Sequence, residues 1–573
     1  MKKRVLSLLL AGVMTASLTA CGGKLEQEAK DAIEAVLDAA TEEETEAEQD
    51  EEEPVSESEE EMEIEEPDSF SGGIPQLCTW EKSWYETADD GTLLLKGSLA
   101  VPILTTDSAD LFPELASALV ADAEDQRDTF SDSMDQYLDS AKTDYADMPE
   151  RFGDGNMYYS SETSVLMQRV DEAVTSYYSS FYDFTGGAHG MYGQTGYTYD
   201  NRTGEKLLLT DVFSDTSGLA GILKEELTAA YPDTAFDDLD NALSSYDVAL
   251  TEAAPDADNE DGYHYPYNWA LTPKGVDFYF GPYSLASYAD GAQEVTLSYD
   301  TYADIMNPEY LPDSSKSSMV SFRNFLGGYD LSGDGTPERI DISFGYSDDY
   351  SAIESIYLTV GDKDSDSFDY YAETGDADVT GYYIETPDGK QVVYLLANEM
   401  NDYQTLYVFD VTGGTPVKVG DQGYKRSVFD YDDDGYCEML LTDPDRMPLC
   451  SGFDFLASFT AFRYYYVGAD GMPESDDTYY YVLSDASQGN LVAKTDLECQ
   501  IVSSDDSAVL SGDTAVIKKG ESFSIYRTDG ETALDVWTPD GTLGRLTITD
   551  PGYPCEINGM VDTDCVEETM YAG

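Results

Sequence analysis

The sequence predicts a multidomain protein with an α+β part nearer its N-terminus and a mostly β part beyond it. Apolar residues recur at helical spacing between Ala109 and Met148 and then alternate through the following segments, the two periods of a mixed domain. From about residue 320 the pattern changes to short tyrosine-rich runs divided by Gly-Asp turns, the signature of short strands. The first 70 residues offer little to a core, so residues 71–573 carry the fold, with room for roughly two to four domains.

Residues 1–20 read as an export signal. Met1-Lys2-Lys3-Arg4 is a basic start, Val5 to Leu18 an apolar run, and Leu18-Thr19-Ala20-Cys21 places small residues before a cysteine. The run falls short of the about 20 apolar residues that span a bilayer. Its ending resembles the lipobox of bacterial lipoproteins. That resemblance implies an acylated Cys21 that anchors the protein in the lipid bilayer, on the outer face of the cytoplasmic membrane of a Gram-positive bacterium. Residues 21–70 then form a lipidated stalk: positions 41–70 hold 17 Asp or Glu and no Lys or Arg, so the segment repels itself and buries too little to fold. Even beyond residue 70 acidic residues outnumber basic ones by 94 to 25. A formal net charge of −86 argues against nucleic acid as a partner and admits cationic proteins or divalent ions, or simply a soluble surface. Six cysteines remain after Cys21: Cys78, Cys437, Cys450, Cys499, Cys555 and Cys565. An exported location permits disulfides, and Cys555 with Cys565 is the pairing expected.

In the domain at 71–318 the helix runs from Ala109 to Met148. Pro113 suits a first turn, Leu115, Leu119, Ala123, Phe130, Met134, Tyr137 and Leu138 mark its apolar side, and a break is expected near Arg127. Strands follow at Ser164 to Val170 and Val174 to Phe184, then a glycine-rich turn, a strand from Gly196 to Asp200 and a hairpin at Asn201–Gly204. Leu219, Ile222, Leu223 and Leu227 mark a second helix, and Val276 to Tyr299 a last pair of strands. Flanking glycines give His189 the surroundings of a turn. A zinc site needs three or four ligands, and the other histidine, His264, is distant in sequence, so a structural or recognition role is expected for His189.

The segment Gly186-Gly187-Ala188-His189 through Phe213, followed some 60 residues later by Phe278 to Tyr302, resembles the paired extracytoplasmic domains of RsiV-type anti-sigma factors and PdaC-type peptidoglycan deacetylases. The resemblance covers residues 78–318. It implies an α+β domain and, from the RsiV-type members, binding of lysozyme, with Tyr192, Tyr197 and Tyr288 as candidate contact residues. Neither a sigma-binding segment nor a deacetylase domain is read in the chain, so neither activity is implied.

Two segments stand out in the region 319–498. In Tyr329 to Phe344, oxygen side chains fall at positions 1, 3, 5 and 9 as Asp330, Ser332, Asp334 and Glu338, with the Thr336 carbonyl at position 7. In Phe429 to Asp443 the same places are taken by Asp430, Asp432, Asp434 and Glu438, with the Tyr436 carbonyl. Gly335 and Gly435 at position 6 allow a sharp turn, and hard oxygen ligands in this order suit Ca²⁺; plain acidic turns are the alternative. Alternating apolar residues flank both loops, so strands are expected around them. The loops resemble the calcium loops of FG-GAP or integrin-type propeller repeats. Residues 499–573 form a small β module, its strands divided by Lys-Gly and Asp-Gly turns, that resembles a bacterial SH3-like barrel.

No nucleophile elbow, phosphate loop or zinc-protease helix occurs, and paired carboxylates mean little where about a fifth of residues are acidic. The reading expected is a non-enzymatic, lipid-anchored binding protein of the bacterial cell envelope that takes lysozyme or a cell-wall component such as peptidoglycan and carries structural Ca²⁺. A cell-wall hydrolase with two carboxylates and a structural envelope protein are the alternatives.

Overall fold

The computed structural model describes residues 73–152, 157–236, 238–251, 253–255, 263–373, 377–399, 404–432, 435–483, 491–503 and 509–567. The export signal, Cys21 and the acidic stalk lie outside the described residues. The described residues are 48% strand and 18% helix. Among the described residues no helix is long and apolar enough to cross a membrane.

The long helix spans Pro113–Asp147, with proline at its first turn. Proline disfavours helical geometry in the residue before it, so Phe112 (φ −125°, ψ 61°) separates this helix from the short one at Thr106–Leu111. The break expected near Arg127 does not occur. Arg127 continues the helix and lays its guanidinium 4.2 Å from the centre of the Trp80 ring. Leu115, Leu119, Ala123, Phe130, Met134 and Ala141 form the buried stripe.

That stripe covers one face of a seven-stranded sheet. In spatial order its strands are Val428–Asp432, Gly435–Met439, Leu77–Thr87, Leu93–Leu104, Tyr159–Val170, Val174–Phe184 and Met191–Asp200. All neighbours are antiparallel except Leu93–Leu104 with Tyr159–Val170, the parallel pair that the long helix connects. The first two strands come from far along the chain. Trp80 pairs with Cys437 and Cys78 with Met439, so a hairpin of the distal half completes the proximal sheet, and the boundary at 318/319 does not divide the sheets.

Behind the other face lies a three-stranded sheet of Trp269–Leu271, Gly275–Phe280 and Gln293–Ser298. Its Phe278, Phe280 and Leu297 share a core with Leu223 and Leu227 of the helix Leu219–Ala230. Further on, two antiparallel sheets stack face to face. Ile340, Ile356 and Leu358 of one meet Tyr383, Val393, Leu395 and Phe409 of the other. In the strand Gln391–Asn398, Val393, Leu395 and Ala397 face this core, while Val392 and Tyr394 face a second core with Leu449 and Tyr465. Burial on both sides explains its unbroken apolar run.

The strands from Met447–Phe455 to Met560–Val561 belong to one sheet, in which Tyr480 pairs with Thr528. The boundary expected at 498/499 therefore cuts through the strand Leu497–Val502. No sheet closes into a barrel among the described residues. Inside this module Asp535, fully buried, accepts from Arg527 Nε at 2.8 Å and from Arg545 Nε at 2.6 Å. Cys555 and Cys565 share its core, but both are free buried thiols, as are Cys78, Cys437, Cys450 and Cys499, so the expected pairing is not formed.

Candidate functional site

The turn at 185–190 and the segment at 281–292 meet at one end of the proximal sheet. The His189 ring stacks on Tyr288, with centroids 3.9 Å apart and planes inclined by 23°. Both reach the Gly190 carbonyl: the Tyr288 hydroxyl donates at 2.9 Å and His189 Nδ1 lies at 3.0 Å. A carbonyl oxygen only accepts, so Nδ1 carries a proton. Tyr192 meets Tyr288 edge-on at 6.2 Å, and Tyr283 lies 5.4 Å from it. Tyr182 packs its ring against Gly190, where a Cβ would stand 2.5 Å from ring carbon Cε2. Burial and the phenols of Tyr192, Tyr283 and Tyr182 push the Tyr288 hydroxyl above its ordinary value.

These rings are not a core. Tyr182 is 44% exposed, Tyr192 37% and Tyr283 61%, with Met191 beside them at 41%. Tyr283 also adopts φ +69°, a conformation that costs a bulky residue energy. Contiguous exposed aromatics are uncommon on a protein surface, and amphipathic rings of this kind can pack against a protein or a sugar face.

Tyr197 is placed elsewhere. Side chains alternate along a strand, so within Met191–Asp200 it faces away from Tyr192. It stacks on Tyr177 at 5.0 Å and 8°, and Lys206 lies 4.1 Å over its ring. Its neighbour Tyr199 donates to Asp122. The structure thus joins Tyr192 and Tyr288 and separates Tyr197 from both.

The strand Gly275–Phe280 and the residue before it carry a pair of charges that sequence reasoning missed. Asp277 Oδ1 is buried with no hydrogen-bond partner among the described residues. Burial pushes this carboxyl up to about 6, against the pull of Thr296 and Lys274. Lys274 is pushed down to about 7 by its own burial, lies 3.4 Å over the Tyr329 ring and donates to the Gly328 carbonyl. The only sequence signal is a charged residue between Val276 and Phe278 in a strand whose alternate positions are apolar.

The loop Asp330–Glu338 is closed on itself. Asp330 accepts from the backbone N–H of Asp334 at 3.1 Å and of Gly335 at 2.8 Å, and Glu338 from Leu331 at 2.8 Å and Ser332 at 3.3 Å. Asp334 accepts from Thr336 N–H at 2.8 Å. In the second loop the Asp430 and Asp432 side chains and Asp434 lie outside the described residues. Tyr436 donates its hydroxyl to Glu81 at 2.6 Å, and Glu438 is held by Arg426. Among the described residues no group of three or more His, Cys, Asp or Glu is placed to hold a metal.

Residues 210–300 match a family model described as a protein of unknown function, DUF3298. The match lies over the Leu219–Ala230 helix and the three-stranded sheet. Among solved structures, the chain is similar to a DUF3298 family member from Bacteroides fragilis, with 19% identity over 42% of this chain and 96% of that one and a TM-score of 0.29. It is also similar to a DUF3298 family protein from Pseudomonas aeruginosa PAO1, with 17% identity over 41% and 96% and a TM-score of 0.27. No curated protein matches.

Proposed function

We propose that this protein is a lipid-anchored, extracytoplasmic binding protein of the bacterial cell envelope whose aromatic patch holds lysozyme or a cell-wall component. The observation that carries this reading is the surface cluster of His189, Tyr192, Tyr283 and Tyr288, in which His189 and the half-buried Tyr288 both bond the Gly190 carbonyl and the other two rings pack on Tyr288. Aromatic anchors of this kind dominate the energetics of interfaces. A net charge of −86 raises the encounter rate with any cationic partner, and the patch would supply the specificity that charge lacks.

Structural calcium belongs to the same reading. Gly335 at φ +86° lets the chain wrap so that Asp330 accepts from position 6 of the loop. Asp330, Ser332, Asp334, the Thr336 carbonyl and Glu338 would hold the ion, which supplies the positive charge that these carboxylates lack. A second ion would draw on Asp430, Asp432, Asp434 and the Tyr436 carbonyl, with Glu438 engaged by Arg426. The stacked meanders of 319–423 support kinship with propeller blades, and the strands of 510–550 support an SH3-like origin for the last module.

The test is binding of the purified full chain to a cationic lysozyme and to peptidoglycan at about 0.15 M salt, where the Debye length is about 8 Å. Tyr288→Ala, and the exposed Tyr283→Ser as a milder change, should each weaken binding about tenfold or more. Tyr197→Ala should lower the melting temperature instead. Equal binding by an unrelated basic protein, or by both patch variants, ends this reading.

A further inference from the structure

A cleft of about 510 Å³ opens far from the aromatic patch in sequence, between the end of the strand Val417–Gly423 and the segment that follows the strand Ala457–Val467. Gln422, Arg463, Tyr466, Glu474, Asp476 and Tyr480 are among the residues that line it. Its walls are fixed by contacts that do not depend on a ligand. Ser475 Oγ donates to the Tyr464 carbonyl at 2.6 Å, and Tyr464 N–H to Asp477 at 3.2 Å. The Tyr394 hydroxyl ties the preceding turn at Gly471 at 2.8 Å.

Arg463 is equally fixed. Its Nε donates to the Tyr465 hydroxyl at 2.9 Å and one Nη to the Asp477 carbonyl at 3.3 Å. The rings of Tyr465 and Tyr480 lie 4.9 Å and 4.4 Å from its guanidinium carbon. These bonds engage two of the five N–H donors a guanidinium has. Opposite charges line the same cleft beside Tyr466: its hydroxyl lies 3.5 Å from Glu474, and the carboxylate of Asp476 contributes most to raising that phenol above its ordinary value.

The lining narrows the ligand class by elimination. An anion would meet Glu474 and Asp476, and the whole chain repels it. A purely cationic ligand would meet Arg463. An apolar ligand would leave carboxylates, amide and phenols without water or partners, which costs more than it gains. A neutral polyhydroxylated ligand satisfies donors and acceptors together and can lie against the half-buried tyrosine rings. We infer that this cleft is a binding site for a neutral oligosaccharide, held by Glu474, Asp476, Gln422 and Arg463 and flanked by Tyr466 and Tyr480. The site is separate from the aromatic patch and stands independently of it.

Calorimetry of the full chain in detergent tests this, with chitotriose and maltotriose as probes up to about 10 mM, a range that captures millimolar affinity. At least one trisaccharide should bind. Glu474→Gln, which keeps the shape, and Gln422→Ala, at a strand end, should each weaken it about tenfold, as loss of a hydrogen bond to a charged or fixed polar group does. Tyr288→Ala should leave it unchanged, which separates the cleft from the patch. The inference is overturned if neither sugar binds, if both cleft variants with wild-type melting temperatures bind as well as the parent, or if spermidine or inorganic phosphate binds more tightly than both sugars.

Discussion

Replacing Asp277 by Asn should make the protein more stable, by an amount set by pH. The carboxyl has an ordinary value of 3.8 and is pushed up to about 6 in the folded chain by burial, with Oδ1 left without a partner. Below about pH 4 the group is protonated in both states, and the two proteins differ by a constant. Between about 4 and 6 the unfolded chain loses the proton while the folded chain keeps it, so wild-type stability falls as pH rises. Above about 6 both states are ionised and the penalty is complete. At about 1.4 kcal/mol per unit of pKa, this shift corresponds to about 3 kcal/mol at most. Partial solvent access at this half-buried residue reduces the expected gain to about 1–2 kcal/mol. Asparagine keeps an acceptor for Thr296 and removes the charge. The assay is the urea midpoint of wild type and Asp277→Asn at pH 4, 5, 6 and 7, because only the difference cancels the titration of the many other acidic groups. The gain should grow from pH 4 to about 7, because desolvation and the Asp277 charge together hold the Glu294 carboxyl up at about 7, and then level off. A difference that is flat with pH, or a wild type that becomes relatively more stable toward neutrality, refutes a buried, charge-averse carboxyl at this position.

Other perturbations test other parts of the reading. Gly435→Ala would place a Cβ 2.5 Å from the Trp80 ring, which Arg127 covers, and should cost about 1–3 kcal/mol of stability with a shift in tryptophan emission; an unshifted melting curve would mean that the hairpin is not seated on the proximal sheet. Added millimolar Ca²⁺ should raise the melting temperature over that in EDTA, and Asp334→Ala and Asp434→Ala should each reduce the rise; identical curves in the two buffers count against a bound ion. Cys21→Ser should leave an unprocessed precursor or release the protein from membranes, as followed by fractionation and acyl labelling; continued acylation at the same site would remove the lipoprotein reading.

Local features of the fold are legible in the sequence wherever one element decides them. Pro113 sets the start of the long helix, and Leu219, Leu223 and Leu227 place the face of the second one that is buried. The docking of Val428–Met439 onto Leu77–Thr87 is not legible, because it depends on which of many acidic strands offers a slot for Trp80, and that slot is the missing side chain of Gly435. Tyr197 shows a different failure. A strand expected to begin at Gly196 leaves Tyr192 in a turn, whereas the strand begins at Met191 and alternation then sends the two tyrosines to opposite faces.

The aromatic patch depends on a pairing of the same long-range kind. Its two segments lie about 90 residues apart and meet because the strand Met191–Asp200 can rest against Trp269–Leu271. Gly196 permits this: any Cβ there would overlap the Trp269 carbonyl. Its N–H instead donates to Asn268 Oδ1 at 2.7 Å, and the Asn268 amide donates back to the Gln194 carbonyl, so one side chain seals the strand edge that a further strand would otherwise occupy. With that edge engaged at Gln194 and Gly196, the surface left at its end is made of side chains, the rings of Tyr192, His189 and Tyr288. The glycines around His189 therefore serve shape first, and through shape they present the surface on which the binding reading rests.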